Sequence, residues 1–263
     1  ELRPEWDLLF FERILSESPN LGIIRQQLGG ALIDGELKSP FVTLPVDSWS
    51  EFLASKSRNF RSQWNNSWNR LMKQGAVEFQ FAGKEIGLKE AMHEVARLHR
   101  QRWGEKSNSF KTEKYLAFPD LLSRRLHEKG WLVLMLIAVN GEPVAARYDF
   151  CYGGKVWCIQ GGWNDAYDHM RVGTILTGKV IEWAIDHGQS EYDFLGGDSD
   201  YKRRWSDGER VMVNVTFCNI QTWRGRVCHL LRCLVSLKGR IKKVIPKFLL
   251  STIRKLRQVN AAH

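Results

Sequence analysis

Residues 131–139 read WLVLMLIAV, nine apolar residues without a break. The run is well short of the roughly 18 residues that suggest a membrane span. It suits a strand buried on both faces. Asn140-Gly141 comes next, a dipeptide that favours a two-residue hairpin because both positions tolerate positive φ. A second segment, PVAARYDFCY, runs into Gly153-Gly154, another hairpin turn, and then into KVWCIQGGW. Adjacent strands joined by tight turns predict a three-stranded antiparallel meander. No other stretch constrains the fold as strongly.

The segment after the meander is equally regular. RVGTILTGKVIEWAIDHG sets Ile175, Leu176, Val180, Ile181, Ala184 and Ile185 along a helix of about four turns. YDFLGG reads as a strand, DSDYKRRW as a polar loop, and RVMVNVTFCNI as a further alternating strand. Upstream, residues 6–14 suit a strand and Pro19–Leu28 a short helix closed by Gly29-Gly30. SPFVTLP is extended, and Ser48 caps the next helix. Phe60, Trp64, Trp68 and Leu71 then recur at helical spacing, opposite Lys56, Arg58, Arg61, Arg70 and Lys73. That basic side is either a solvated face or a wall for an anionic substrate. AVEFQFA alternates as a strand, residues 88–103 are helical, and residues 112–129 form a helix interrupted by Pro119.

Charge divides the chain. Of its net +10, the segment from Trp223 to His263 supplies eleven Lys/Arg and no acid. The rest carries 28 basic and 29 acidic residues, so any attraction to nucleic acid or membrane belongs to the tail. The tail interleaves its cations with Leu230, Leu231, Leu234, Ile241, Ile245 and Phe248, a pattern suited to a helix lying on an anionic membrane surface. A helix packed on the body is the alternative. Five cysteines, an odd number without CxxC spacing, predict free thiols in a reducing compartment and no zinc site.

The start of the helix after the meander, Arg171-Val172-Gly173-Thr174, is the first sign of chemistry. A helix N-terminus presents unpaired N–H groups and the positive end of its dipole, and a glycine there admits a bulky anion. The same glycine could instead serve a tight turn.

Taken together, GTILTGKVIEWAIDHGQSEYDFLGGDSDYKRRW and ARLHRQRWGEKSNSF resemble the GNAT superfamily, and within it the CelD-type acetyltransferases of cellulose and exopolysaccharide production. The resemblance runs from about residue 49 to 217 and extends to Fem-type peptidyltransferases, which pair two GNAT-like domains. Gly196 stands where the CelD-type family commonly has Arg before Gly-Asp. The resemblance implies an α/β GNAT-like acyltransferase fold with a mixed, mostly antiparallel central sheet and flanking helices. It would divide into residues 1–50 as part of a second GNAT-like domain, residues 51–222 as the acyltransferase domain, and residues 223–263 as a basic helical tail.

The implied reaction moves an acyl group, acetyl by preference, from acetyl-CoA to a hydroxyl or amine of an envelope glycan or its precursor. No metal is implied. Arg171, Val172, Gly173 and Thr174 would hold the CoA diphosphate. Acyl transfer needs a base for the acceptor and a proton for the leaving thiolate. Asp198, Asp193 and His99 are candidate bases, Tyr201 the candidate acid, and Lys202, Arg204 and Trp205 candidate substrate contacts. Each has a plainer reading, as a turn, packing or solvated residue. A Fem-like transferase using aminoacyl-tRNA and a non-catalytic scaffold of polysaccharide synthesis stay open. Only the former would involve nucleic acid. The expected location is cytoplasmic, or peripheral at the inner face of the membrane, and the region before Glu1 is left open.

Overall fold

The computed structural model describes residues 6–28, 31–44, 47–107, 109–110, 113–197 and 199–244, without the side chains of 34, 113–115 and 235–244. Its elements are β1 (Leu8–Leu15), α1 (Pro19–Leu28), β2 (Ala31–Thr43), α2 (Trp49–Ser55), α3 (Arg58–Met72), β3 (Val77–Phe81), α4 (Leu88–Trp103) and α5 (Glu113–Glu128). Then come β4 (Leu132–Val139), β5 (Glu142–Tyr152), β6 (Lys155–Trp163), α6 (Val172–Asp186), β7 (Glu191–Asp193), α7 (Asp200–Trp205), β8 (Gly208–Cys218) and α8 (Trp223–Val244).

The chain forms two compact units. One joins residues 1–38 to 211–263, and the other is 39–210. The expected divisions at 50 and 222 therefore differ from these. The two ends of the chain come together because β1 pairs antiparallel with β8, Phe10 opposite Thr216. In this unit Leu21 of α1 packs on Val213, Val215 and Phe217.

The larger unit contains the meander. Strands β3 to β6 pair antiparallel in sequence order, and β7 returns parallel to β6 after the α6 crossover. The end of β2 closes the far side of β7, antiparallel. The unbroken apolar run of β4 is explained by its two covers. Val133, Met135, Ile137 and Val139 face the core beneath α2, α3 and α6. Leu134 and Leu136 face the cluster beneath α4. Alternate residues of a strand point to opposite faces, so both faces must be apolar.

Three local expectations change. Helix α5 runs through Pro119 rather than breaking there. The proline removes one N–H from the ladder, and the flanking turns hold. The strand expected over YDFLGG ends at Asp193, because Leu195 turns the chain with a positive φ of 54°. The polar loop beyond it is largely helix α7, whose N-cap Ser199 accepts from the Lys202 N–H.

Candidate functional site

The pairing of β6 with β7 stops at Trp157 and Asp193, although β6 continues to Trp163. β7 itself ends at that point, so the second half of β6 runs on without it. A bulge lies at the same place: Asp149 of β5 faces Cys158, but Tyr148 faces Gln160, so Ile159 is the extra residue. A bulge bends its strand and re-aims its side chains. Among the described residues, β6 beyond Trp157 has no strand partner on that side, and its end at Trp163 packs on the start of α6.

Arg171 caps α6 in the left-handed region, with φ 56°. The Thr174 and Ile175 N–H groups donate to the Arg171 carbonyl, and among the described residues those of Val172 and Gly173 have no backbone partner. The space at Gly173, however, belongs to an aromatic ring. A Cβ there would lie 2.8 Å from Trp163 Cε3. The Trp163 Nε1 donates to Asp168 Oδ1 at 2.9 Å, which holds the indole in place. Gly173 is therefore small because the end of β6 packs on the helix start. Gly173→Ala is expected to cost about 1–3 kcal/mol of stability through overpacking, read as a lower urea midpoint with an unchanged m-value.

A cavity of about 300 Å³ opens next to this turn. Phe60, Gln63, Trp64 and Ser67 of α3 line it, with Arg171 and Thr174 of α6 and Asp200, Tyr201, Arg204 and Trp205 of α7. It brings together five residues singled out in the sequence: Arg171, Thr174, Tyr201, Arg204 and Trp205. Trp205 is buried, stacked on Phe52 and edge-on to Phe60 and Trp64, which anchors α7. Two guanidiniums converge on one oxygen: Arg171 Nη1 donates to Gln63 Oε1 at 2.6 Å and Arg204 Nη1 at 3.2 Å. An anionic oxygen at that position would be held by charge-assisted bonds.

Tyr201 joins this cavity to a buried polar network absent from the sequence reading. Arg147 Nε donates to Asp149 Oδ2 at 2.8 Å and its Nη1 to Thr177 Oγ1 at 2.6 Å, while its Nη2 meets Cys158 Sγ. The Tyr192 hydroxyl donates to Asp149 Oδ2 at 2.7 Å, and the Ile159 N–H to Oδ1 at 3.2 Å. Thr177 Oγ1 donates to the Gly173 carbonyl at 2.8 Å and also meets the Tyr201 hydroxyl. A hydroxyl has a single hydrogen. With that hydrogen on Gly173, Thr177 accepts from both Arg147 and Tyr201.

Burial pulls the Arg147 guanidinium down, but Asp149, Cys158, Tyr192 and Tyr201 outweigh it and hold its pKa well above the usual value. Burial pushes the Asp149 carboxyl up against the pull of Arg147 and Tyr192. The Cys158 thiol and the Tyr201 phenol are raised in the same way, and Arg147 opposes both shifts. Tyr201 therefore keeps its proton at neutral pH. The only sequence signal for the network was Arg147 and Asp149 at i, i+2 on one face of a strand otherwise rich in apolar residues.

The remaining candidates lie elsewhere. Buried Asp193 accepts from Ser39 Oγ at 2.9 Å, the Leu195 N–H at 2.8 Å and Arg210 Nη1 at 3.0 Å, so it fixes the exit of β7. Lys202 Nζ donates to the carbonyls of Phe194, Leu195 and Gly196 at 2.9–3.1 Å and gathers the loop after that strand. Val172 is in the hydrophobic core, leaving only its backbone for a ligand. His99 belongs to α4, on the other face of the sheet from Tyr201. Its Nδ1 meets the Gly161 carbonyl at 3.2 Å and its Nε2 meets Ser107 Oγ at 2.9 Å. Burial lowers its pKa, against that Gly161 bond. This close packing needs Gly162, where a Cβ would come within 2.3 Å of the His99 backbone nitrogen. Asp198 lies outside the described residues.

Among the described residues, none of the His, Cys, Asp and Glu side chains form a group of three able to hold a metal. No described helix is long and apolar enough to cross a membrane. The solved structure of FemX superimposes with a TM-score of 0.59 at 14% identity, over 81% of this chain and 72% of that one. L-PGS from Bacillus licheniformis does so at 0.53 and 13%, over 88% and 73%. The C-terminal domain of an Agrobacterium fabrum protein assigned as a lysylphosphatidylglycerol synthetase gives 0.55 and 13%, over 86% and 71%. No curated protein matches the sequence. The acetyltransferase (GNAT) domain family matches residues 58–203, which include the end of the β6–β7 pairing, the α6 turn and most of the cavity wall; the chain belongs to that family.

Proposed function

We propose that this GNAT acyltransferase domain moves an acyl group from acetyl-CoA to a hydroxyl or amine of an envelope glycan or its precursor. One observation carries the reading: Arg171 and Arg204 converge on a single Gln63 oxygen in a cavity that Tyr201 also lines. A phosphate oxygen of the donor would displace that amide oxygen. The first-turn N–H groups of Val172 and Gly173 would add the pull of the helix dipole, whereas the Thr174 N–H already donates to the Arg171 carbonyl at 2.8 Å. The thioester would then lie along the free edge of β6.

In the transfer, the acceptor oxygen or nitrogen attacks the thioester carbonyl and loses a proton to a base. The carbon–sulfur bond breaks, and Tyr201, turning its hydrogen away from Thr177, gives its proton to the leaving thiolate. We assign the base to Asp198, which follows Gly197 just past the end of β7. Asp198→Asn should lower kcat by about 100-fold or more. A variant that turns over at the native rate would remove Asp198 from the mechanism.

Calorimetry with acetyl-CoA tests the donor. The native chain should bind it, and Arg171→Gln with Arg204→Gln together should weaken binding by at least about 100-fold, since hydrogen bonds to charged groups contribute ~1.5–3 kcal/mol each. Absence of binding to a folded native chain would favour a scaffold role. A second reading, transfer from aminoacyl-tRNA, is supported by the likeness to FemX and by the basic outer side of α3. A mobility shift with charged tRNA, without affinity for acetyl-CoA, would select it. Either acceptor would be met at an anionic membrane surface, to which the basic carboxy-terminal segment docks the domain from the cytoplasmic side.

A further inference from the structure

Helix α8 is inverted for a helix that packs on a protein core. Its inner side carries Gly225, Cys228, His229, Arg232 and Cys233, all buried or half-buried. Arg232 Nη1 donates to Thr216 Oγ1 of β8 at 2.8 Å and fixes that side against the strand. The outer side carries Trp223, Val227, Leu230, Leu231 and Leu234. Trp223 is 67% exposed, Leu230 61% and Leu231 55%. Their spacing of i, i+4, i+7, i+8 and i+11 makes one continuous apolar stripe. A helix stabilised by a core turns such a stripe inward. Here the small and polar residues face in and the large aliphatic ones face out.

Strand β1 widens the patch. Leu8 pairs with Cys218 and Phe10 with Thr216. Residues directly opposite in an antiparallel pair share a face. Leu8 and Phe10 therefore stand on the face where α8 lies, and both are exposed. An exposed apolar patch rimmed by polar groups marks a contact surface.

Charge selects the occupant. From Val211 to His263 the chain has no Asp or Glu, and eleven Lys/Arg follow Trp223. Arg224 and Arg226 are exposed on the same helix as the stripe. A second copy of this surface would set cations against cations. An anionic bilayer offers an apolar interior under a negative surface, and a tryptophan at the end of the stripe suits the headgroup level. We infer that the outer stripe of α8, with Leu8 and Phe10 beside it, inserts into an anionic phospholipid surface while Arg224 and Arg226 meet the headgroups. The inference rests on the membrane reading of the carboxy-terminal segment and assigns it to particular side chains.

Co-sedimentation of the full chain with phosphatidylglycerol vesicles and with phosphatidylcholine vesicles tests it. The native chain should bind phosphatidylglycerol more tightly, and rising salt should weaken binding without abolishing it. Leu230→Gln with Leu231→Gln alters exposed positions, so circular dichroism should not change, yet binding should fall at least about tenfold. Leu231→Phe should bind as the native chain does. If the double glutamine variant binds like the native chain while Lys242→Gln with Lys243→Gln loses binding, the segment docks on membranes but the stripe does not insert. If the native chain ignores both vesicles, the membrane reading fails as a whole. If instead the native chain is a dimer that the glutamine pair splits, without vesicle binding, the stripe is a self-contact and the inference is overturned.

Discussion

Tyr201→Phe is expected to lower kcat for acyl transfer by about 100-fold or more while leaving the affinity for acetyl-CoA nearly unchanged. The ring keeps its place because it packs edge-on against Phe194, and only the hydroxyl is lost. Tyr201 lines the cavity, and its hydroxyl meets Thr177, which in turn accepts from Arg147. A guanidinium below the phenol eases the transfer of its proton. Burial raises the Tyr201 pKa, so it stays protonated up to the ordinary tyrosine range near pH ~10. The native kcat profile should therefore show no alkaline fall due to Tyr201 below that pH. Steady-state kinetics across pH, with calorimetry for donor affinity, separates the outcomes. A variant with native kcat would leave Tyr201 as a wall of the cavity.

Arg147→Met should cost about 3–5 kcal/mol of stability, the range for breaking a buried ion pair from one side. Asp149 is fully buried, and without Arg147 it keeps only the Tyr192 hydroxyl and the Ile159 N–H. Its carboxyl, already raised by burial, would rise further. A carboxyl whose folded pKa exceeds its unfolded value holds its proton in the folded state, so the penalty is present at neutral pH and shrinks as pH falls towards ~4. Urea denaturation at pH 7 and at mildly acidic pH checks both size and sign. Adding Asp149→Leu should recover part of the loss, because an apolar pair of similar volume is often as stable as the buried ion pair it replaces. A loss below about 1 kcal/mol at neutral pH would mean that water reaches the network.

Much of the fold was legible because it is written locally. The meander follows from apolar strands and two turn dipeptides, and the stripe Phe60, Trp64, Trp68 and Leu71 does form α3. The α6 turn was also visible, since capping and turn chemistry involve neighbours in sequence. Its glycine was a weaker guide. Gly173 can signal either an open anion site or a tight contact, and the ring that settles its surroundings comes from β6.

The sequence by itself determined most of the elements, their order and the concentration of positive charge at one end, though not helix α7, whose residues read as a polar loop. Periodicity and turn residues act over a few positions, so these need no knowledge of the rest of the chain. The tertiary structure decided which polar groups meet. Gln63 receives Arg171 and Arg204 across separations of 108 and 141 residues. Asp193 is occupied by Ser39, 154 residues away, and by Arg210. Arg147 and Asp149 looked like the polar side of a half-buried strand until α6 and β7 brought Thr177 and Tyr192 against them. Side by side in sequence, Tyr201 and Lys202 are parted by one helical step of about 100°, which brings the phenol to Thr177 and the ammonium to the loop carbonyls. Such pairings depend on where packing closes the chain, and a local pattern does not record it.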